Sequence, residues 1–234
     1  MLKFQAVKQT KTYAGIVGQI SKLIEQGELK PGDRLPAERA LSATLNIGRQ
    51  SLREALSVLE AVGLLEVRHG IGTFVRLDAK ANLPAVVKGS GSMVNPYELL
   101  EARRVIEKEL VSLAAKRATE QQLADMEQAL KALQASRAPG REAFALDREV
   151  HLAFARGAQN DILYRVMLEI TEQMSEHLWL RMKEKSLEVS GRNEAYQNEH
   201  GVIFAAIKNR DSRKAAQAML THMRNIENAF LQKT

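Results

Sequence analysis

Cysteine is absent from all 234 residues. That excludes disulfides and thiolate-ligated metal centres, and it fits a reducing cytoplasm. Tryptophan occurs once and aromatic residues make up 5% of the chain; set against abundant Ala, Leu, Glu, Lys and Arg, this scarcity tilts the composition toward helix. No apolar run approaches the ~20 residues that span a bilayer. The opening "MLKFQAVKQTKTY" also lacks the apolar stretch of a signal peptide. A soluble, cytoplasmic protein with no membrane partner is expected. A strong charge of one sign is missing too: Lys+Arg 34 against Asp+Glu 28 gives +6, which tolerates a nucleic acid or anionic ligand without demanding one. Residues 1–78 hold 11 basic and 8 acidic residues, and the remainder holds 23 and 20. Each part is therefore +3, and bulk charge does not locate a partner.

What is present is a helical pattern in two blocks, long enough for two cores. In the first, Ile16, Ile20, Leu23 and Ile24 share one face of a helix over roughly 12–26, with Gly27 placed to stop it. "ELKPGDRLPAER" supplies a Pro-Gly turn and Pro36 near a helix start, a second helix follows near 37–45, and "NIG" turns the chain. The third helix, about 49–62, opens with Arg49 and Arg53 one turn apart and therefore on one face. Two β-rich runs, Leu64 to Val67 and Thr73 to Leu77, flank "HGIG" as a hairpin. Three helices and a hairpin form a winged helix-turn-helix, whose arginine face is aimed at base edges in the major groove. For the same pair, a solvated helix face is the plain alternative. Arg34, beside the Pro-Gly turn, reads equally as a phosphate contact or a solvated side chain.

Residues 79–94, "AKANLPAVVKGSGSMV", carry little periodicity and read as a linker. This divides the chain into a DNA-binding domain (1–78), a linker (79–94) and a helical domain (95–234). The helical domain has six expected helices: from Asn95-Pro96 to about 117; from the "TEQQ" capping box at Thr119; about 141–158; from Asn160-Asp161 to near 186; from Ser190-Gly191; and from "NRD" at 209–211 to the end. The fold class is mainly α, a winged helix-turn-helix followed by an all-α six-helix bundle.

Within that bundle, Asp147 and His151 stand four residues apart on one helix face. If the fifth and sixth helices fold back at Asn209 to Asp211, His200 and His222 come level, 10 and 12 residues from position 210. One carboxylate and three imidazoles suit a borderline divalent ion: zinc first, with nickel or manganese as alternatives. Any one of these histidines alone reads as core or surface, and His177, outside the pattern, does so here.

"PGDRLPAERALSATLNIGRQSLREALSVLEAVGLLEVRHGIGTFV" resembles the GntR family of bacterial transcription regulators, combining "LPAER", "LREAL", "GLLEVRHG" and "GTFV" in order. The resemblance is to its FadR-like subfamily. It implies DNA contacts from Arg39, Arg49, Arg53, His69 and Gly70, with Gln50 and Ser51 beside them at positions where the family usually carries small hydroxyl residues. Arginine suits guanine O6 and N7, and Arg39 suits phosphate. Roughly residues 96–232 resemble the FCD ligand-binding domain of the same branch, whose D-x-x-x-H…H…H pattern is complete at Asp147, His151, His200 and His222. "YELLEARRVIEKELVSLAAKRA" resembles that domain's first helix and implies that Arg103 meets an anionic effector, Arg being fitted to grip carboxylates; a helix-surface Arg103 paired with Glu107 is the alternative.

The resemblance therefore implies a homodimeric regulator, probing a palindromic double-stranded operator and answering to a small carboxylate. Its action is that of a repressor, and it is not an enzyme. Two alternatives stand beside this reading. One is a repressor for which the metal itself is the signal. The other is a metal-dependent hydrolase with a DNA-binding head, against which stands the lack of "HExxH" or any comparable base beside the ligands.

Overall fold

The computed structural model describes residues 12–68, 70–87, 95–136, 141–174 and 192–231. The chain divides into two compact units, Met1–Asn95 and Pro96–Thr234. Among the described residues, no helix is long and apolar enough to cross a membrane.

The first unit contains α1 (Thr12–Glu25), α2 (Glu38–Leu45), α3 (Arg49–Ala61), the strands β1 (Leu65–Arg68) and β2 (Gly72–Val75), and α4 (Ala79–Val87). Ile16, Ile20 and Ile24 of α1, Leu41 and Leu45 of α2, and Leu52 and Leu59 of α3 are at most 1% exposed and form its core. Burial of these stripes holds three short helices together that would be marginal alone. Asn46 ends α2 in the left-handed region at φ 54°, and the Asn46 and Ile47 N–H groups donate to Ala43 and Ser42 carbonyls. Gly63, at φ 76°, ends α3 after the Val62 cap. The strands pair antiparallel with Leu65 opposite Val75 and Arg68 opposite Gly72. The segment before α2 extends this sheet, since the Leu35 N–H donates to the Thr73 carbonyl and the Val75 N–H to the Asp33 carbonyl, each at 2.9 Å.

Residues 79–87, expected to lack regular structure, form α4. Ala79 and Leu83 are buried, α4 packs on α1, and Asn82 Nδ2 donates to the Gly63 carbonyl at 3.0 Å. The helix forms although it contains Pro84.

The second unit contains α5 (Pro96–Arg117), α6 (Glu120–Ala135), α7 (Arg141–Gly157), α8 (Asp161–Glu172), α9 (Arg192–Lys208) and α10 (Ser212–Leu231). Helix α5 is central and packs against α7, α8, α9 and α10. The capping box at Thr119 is complete: the Gln122 N–H donates to Thr119 Oγ1, and the Thr119 N–H donates to Gln122 Oε1. Gly157 lets α7 close on its neighbours, because a Cβ there would collide with the Met126 side chain and lie 3.3 Å from Ala114 Cβ. Asn160 caps α8 by accepting from the Leu163 N–H at 3.1 Å.

Helix α8, expected to run to near 186, ends at Glu172, and residues 175–186 lie outside the described residues. The Thr171 hydroxyl donates to the Met167 and Leu168 carbonyls at 3.0 and 2.7 Å, and such back-bonding competes with the helix's own hydrogen bonds near its end. His177 lies outside the described residues. Helices α9 and α10 meet at a turn where Arg210 has φ 58°. Arg210 Nη1 donates to the Ala118 carbonyl at 2.6 Å, which fixes this turn against the α5–α6 junction.

Candidate functional site

In the first unit, the backbone places Arg49 and Gln50 at the exposed start of α3, Arg53 one turn on and exposed, Ser51 half-buried, and Arg39 exposed on α2. Glycine at the α3 N-cap supplies no side-chain hydrogen bond. Gln50 Nε2 donates to Glu54 Oε1 at 3.1 Å, and Arg53 Nε donates to Glu38 Oε2 at 2.8 Å. The apolar members of α3 face inward, so the arginines of the same helix point to solvent. At the hairpin tip, Gly70 is exposed with φ 72°; His69 lies outside the described residues. Arg34 lies along the hairpin: a Cβ at Gly72 (φ 143°) would sit 2.7 Å from Arg34 Nε. The Arg34 and Arg68 guanidinium carbons lie 6.0 and 4.5 Å from the Phe74 ring centre. The first unit therefore presents arginines from a helix and a hairpin as exposed, exchangeable donors.

The second unit does the opposite and gathers polar groups at its centre. His151 comes from α7, His200 from α9 and His222 from α10, and their ring nitrogens lie within 4.8 Å of one another. All three residues are at most 2% exposed. His151 Nε2 and His200 Nε2 are 3.3 Å apart, and the His200 and His222 ring centres are 4.5 Å apart. Asp147, one turn before His151, places Oδ1 3.4 Å from His200 Nε2. It stands at the edge of the three-imidazole cluster.

Two of the imidazoles are held from behind by carboxylates. His151 Nδ1 bonds Glu107 Oε2, and His222 Nδ1 bonds Glu199 Oε2 at 2.8 Å. A carboxylate at Nδ1 places the proton there and turns the Nε2 lone pair inward, which is how metal-binding imidazoles are usually oriented. His222 Nε2 is buried with no hydrogen-bond partner among the described residues. Burial lowers the His222 pKa to about 3, with His151 adding to the effect and Asp147 opposing it, so its ring stays neutral and keeps a lone pair to give.

These residues fit a divalent cation. Two nitrogens each ~2.1 Å from one ion would be separated by roughly 3.0–3.4 Å, and His151 and His200 stand 3.3 Å apart. An all-nitrogen-and-oxygen donor set of this kind selects zinc, nickel or manganese over softer ions.

Arg103 is 4% exposed. Its Nε donates to Glu107 Oε1 at 2.5 Å, so the expected partner of the helix-surface alternative is present but the pair is buried. Arg104 instead pairs with Glu227 at 3.3 Å. Burial works to raise the Glu107 pKa, but Arg103 and His151 beside it win and hold it at about 2. Glu199 and Tyr196 are residues that the sequence reading missed, and Glu107, named there only as a surface partner of Arg103, is buried and also bonds His151. Tyr196 donates to Asp147 Oδ2 at 3.4 Å, and its ring centre lies 5.0 and 4.8 Å from those of His200 and His222. For Glu107 a signal did exist: Leu99, Arg103, Glu107, Leu110 and Ala114, all buried, repeat at three- and four-residue spacing, so Arg103 and Glu107 interrupt an apolar stripe.

A winged helix with an exposed arginine ridge, followed by a helical unit built around a polar centre, defines a two-domain DNA-binding transcription regulator. Residues 12–75 match the bacterial regulatory proteins of the gntR family, and residues 98–225 match the FCD domain. The chain is 32% identical over 216 residues to the HTH-type transcriptional regulator LutR of Bacillus subtilis (strain 168), spanning 89% of this chain and 96% of that protein. It is 31% identical over 233 residues to the Uxu operon transcriptional regulator of Escherichia coli (strain K12), spanning 97% and 90%. With the HTH-type transcriptional repressor NanR of Klebsiella aerogenes, identity is 28% over 218 residues, spanning 89% and 81%. The chain belongs to the GntR family, in the FadR-like subfamily that carries a C-terminal FCD effector-binding domain. Its role is accordingly regulation by DNA binding, not catalysis.

Proposed function

We propose that this regulator is a homodimeric, cytoplasmic repressor that holds a divalent metal, zinc first, in its helical domain and answers to a small carboxylate metabolite. Asp147, His151, His200 and His222 hold the ion, which when bound supplies a cationic centre for one end of the carboxylate. Arg103 takes an anionic group at the other end, the role for which a guanidinium fork is suited. Tyr196 and Glu199 position Asp147 and His222. In the first unit, Arg49 and Arg53 probe base edges, with Gln50 and Ser51 beside them, while Arg39 holds phosphate and His69 and Gly70 approach the minor groove. Two copies reading a palindrome would match a two-fold symmetric operator. Repression then depends on the effector having different affinities for the DNA-competent and released states.

The observation that carries this reading is the cluster of three buried imidazoles, two of them oriented by carboxylates. Burying polar groups costs free energy unless each is hydrogen-bonded or ligated, and His222 Nε2 is buried with no hydrogen-bond partner among the described residues. The test is elemental analysis combined with a native mass spectrum of the full chain. One metal ion per chain in a two-chain assembly is expected, and its loss when His200 and His222 are both replaced by Ala; equal metal content in both proteins overturns the ligand assignment. Releasing operator DNA with metal alone, then with carboxylic acids, separates this reading from a repressor for which the metal is the signal.

A further inference from the structure

We propose that Glu107 is a positioning residue joining the two parts of the ligand site, one carboxylate oxygen holding the Arg103 guanidinium and the other holding the His151 ring. The inference rests on the metal-and-carboxylate reading above and concerns how its two halves communicate. Arg103, Glu107 and His151 form an unbroken chain, Arg103 Nε to Glu107 Oε1 and Glu107 Oε2 to His151 Nδ1, and none is more than 4% exposed. Arg103 and Glu107 are one turn apart on α5, whereas His151 belongs to α7. A carboxylate is planar, so it cannot rotate to follow one partner without moving the other oxygen.

An anion that draws the guanidinium away from Glu107 therefore also disturbs the bond orienting His151, whose Nε2 faces His200 at 3.3 Å. A pair serving only to neutralise a buried arginine needs no second bond to an imidazole. Because coupling between two sites is reciprocal, an ion held at His151 changes the affinity of Arg103 for an anion by the same factor as the anion changes the affinity for the ion.

The test uses the full chain with cobalt(II) as the probe, its affinity measured by chelator competition and its visible absorption recorded. Histidine ring nitrogen shifts of the metal-free protein report which nitrogen carries the proton, independently of any metal. In wild-type protein His151 is expected to carry the proton on Nδ1. Glu107→Gln is expected to weaken cobalt binding by roughly 10- to 100-fold, as loss of a supporting hydrogen bond to a ligand does, and to alter the cobalt absorption. Arg103→Lys keeps the positive charge but not the fork, and is expected to weaken binding in the same direction by a smaller factor. Wild-type cobalt binding retained within twofold by both variants, with unchanged absorption and His151 protonation, overturns the proposal. A wild-type protein that takes up no cobalt although His151 carries its proton on Nδ1 fails in a distinguishable way, and sinks the metal reading together with this one.

Discussion

Two arginines, each donating through Nε to a glutamate, separate the two units of this protein. Arg53 meets Glu38 at 2.8 Å with the two side chains 60% and 40% exposed. Arg103 meets Glu107 at 2.5 Å with the two side chains 5% and 3% exposed. The chemistry is the same and the consequence is opposite. In water an ion pair contributes little and exchanges readily, so Arg53 remains available for a base or phosphate. Out of water the charges cannot be separated without leaving one uncompensated, so Arg103 and Glu107 behave as one object. Exposure marks the group that recognises a passing partner, and burial marks the group whose position carries information.

The sharpest way to break this comparison is at the buried pair. Arg103→Met strands the Glu107 carboxylate beside His151, and removing one partner of a buried pair typically costs ~3–5 kcal/mol. The unfolding free energy of the helical unit, read from its urea transition, is expected to fall by that amount. Adding Glu107→Leu removes the stranded charge, and the double variant is expected to regain part of the loss, the remainder reflecting the His151 Nδ1 left without its carboxylate. A single variant as stable as wild type would mean that water reaches Glu107 and that the contrast with Arg53 is one of degree.

The second test strikes the exposed side. Arg53→Ala is expected to leave stability and metal content unchanged while weakening specific operator binding by ~1–3 kcal/mol, roughly 5- to 150-fold, the usual worth of a bidentate base contact. Binding to unrelated DNA should change far less, as a titration with both duplexes would reveal. Uniform weakening on both would reassign Arg53 to phosphate.

How much of this was legible before the structure follows the same division. Helix α3 could be read because its pattern is simple: apolar residues inward, arginines outward, a turn before and Gly63 after. Asp147 and His151 share a helix, and His200 and His222 are levelled by a short turn, so local periodicity brings four groups to one place. Glu107 was legible as the partner of Arg103, and its place on the buried stripe of Leu99, Arg103, Leu110 and Ala114 marks it as inward-facing, but periodicity within one helix does not show that its second oxygen meets His151 on another. Burial there is set by α7 and α10 closing over α5, a tertiary effect. Glu199 and Tyr196 were hidden for the same reason: each is ordinary in its own helix and acquires a role from a neighbour on another. Helix α4, within the segment read as a linker, packs on α1, and the end of α8 at Glu172 falls where the apolar periodicity continues, so neither is announced by pattern alone.

The smallest effect is expected at Glu38, and it asks whether the exposed pair is as exchangeable as its surroundings imply. To contact DNA, Arg53 must leave Glu38 or share it, and Glu38 adds a negative charge near the phosphates. Glu38→Gln removes both obstacles. Because exposed pairs contribute about 0.2–1 kcal/mol, stability should hardly change and operator affinity should rise by up to about fivefold. The gain should shrink as salt is raised and the charges are screened. Measured across a salt series, a fall in affinity instead would show that Glu38 holds Arg53 ready for the groove, which would make the exposed pair a positioning device like the buried one and erase the distinction between them.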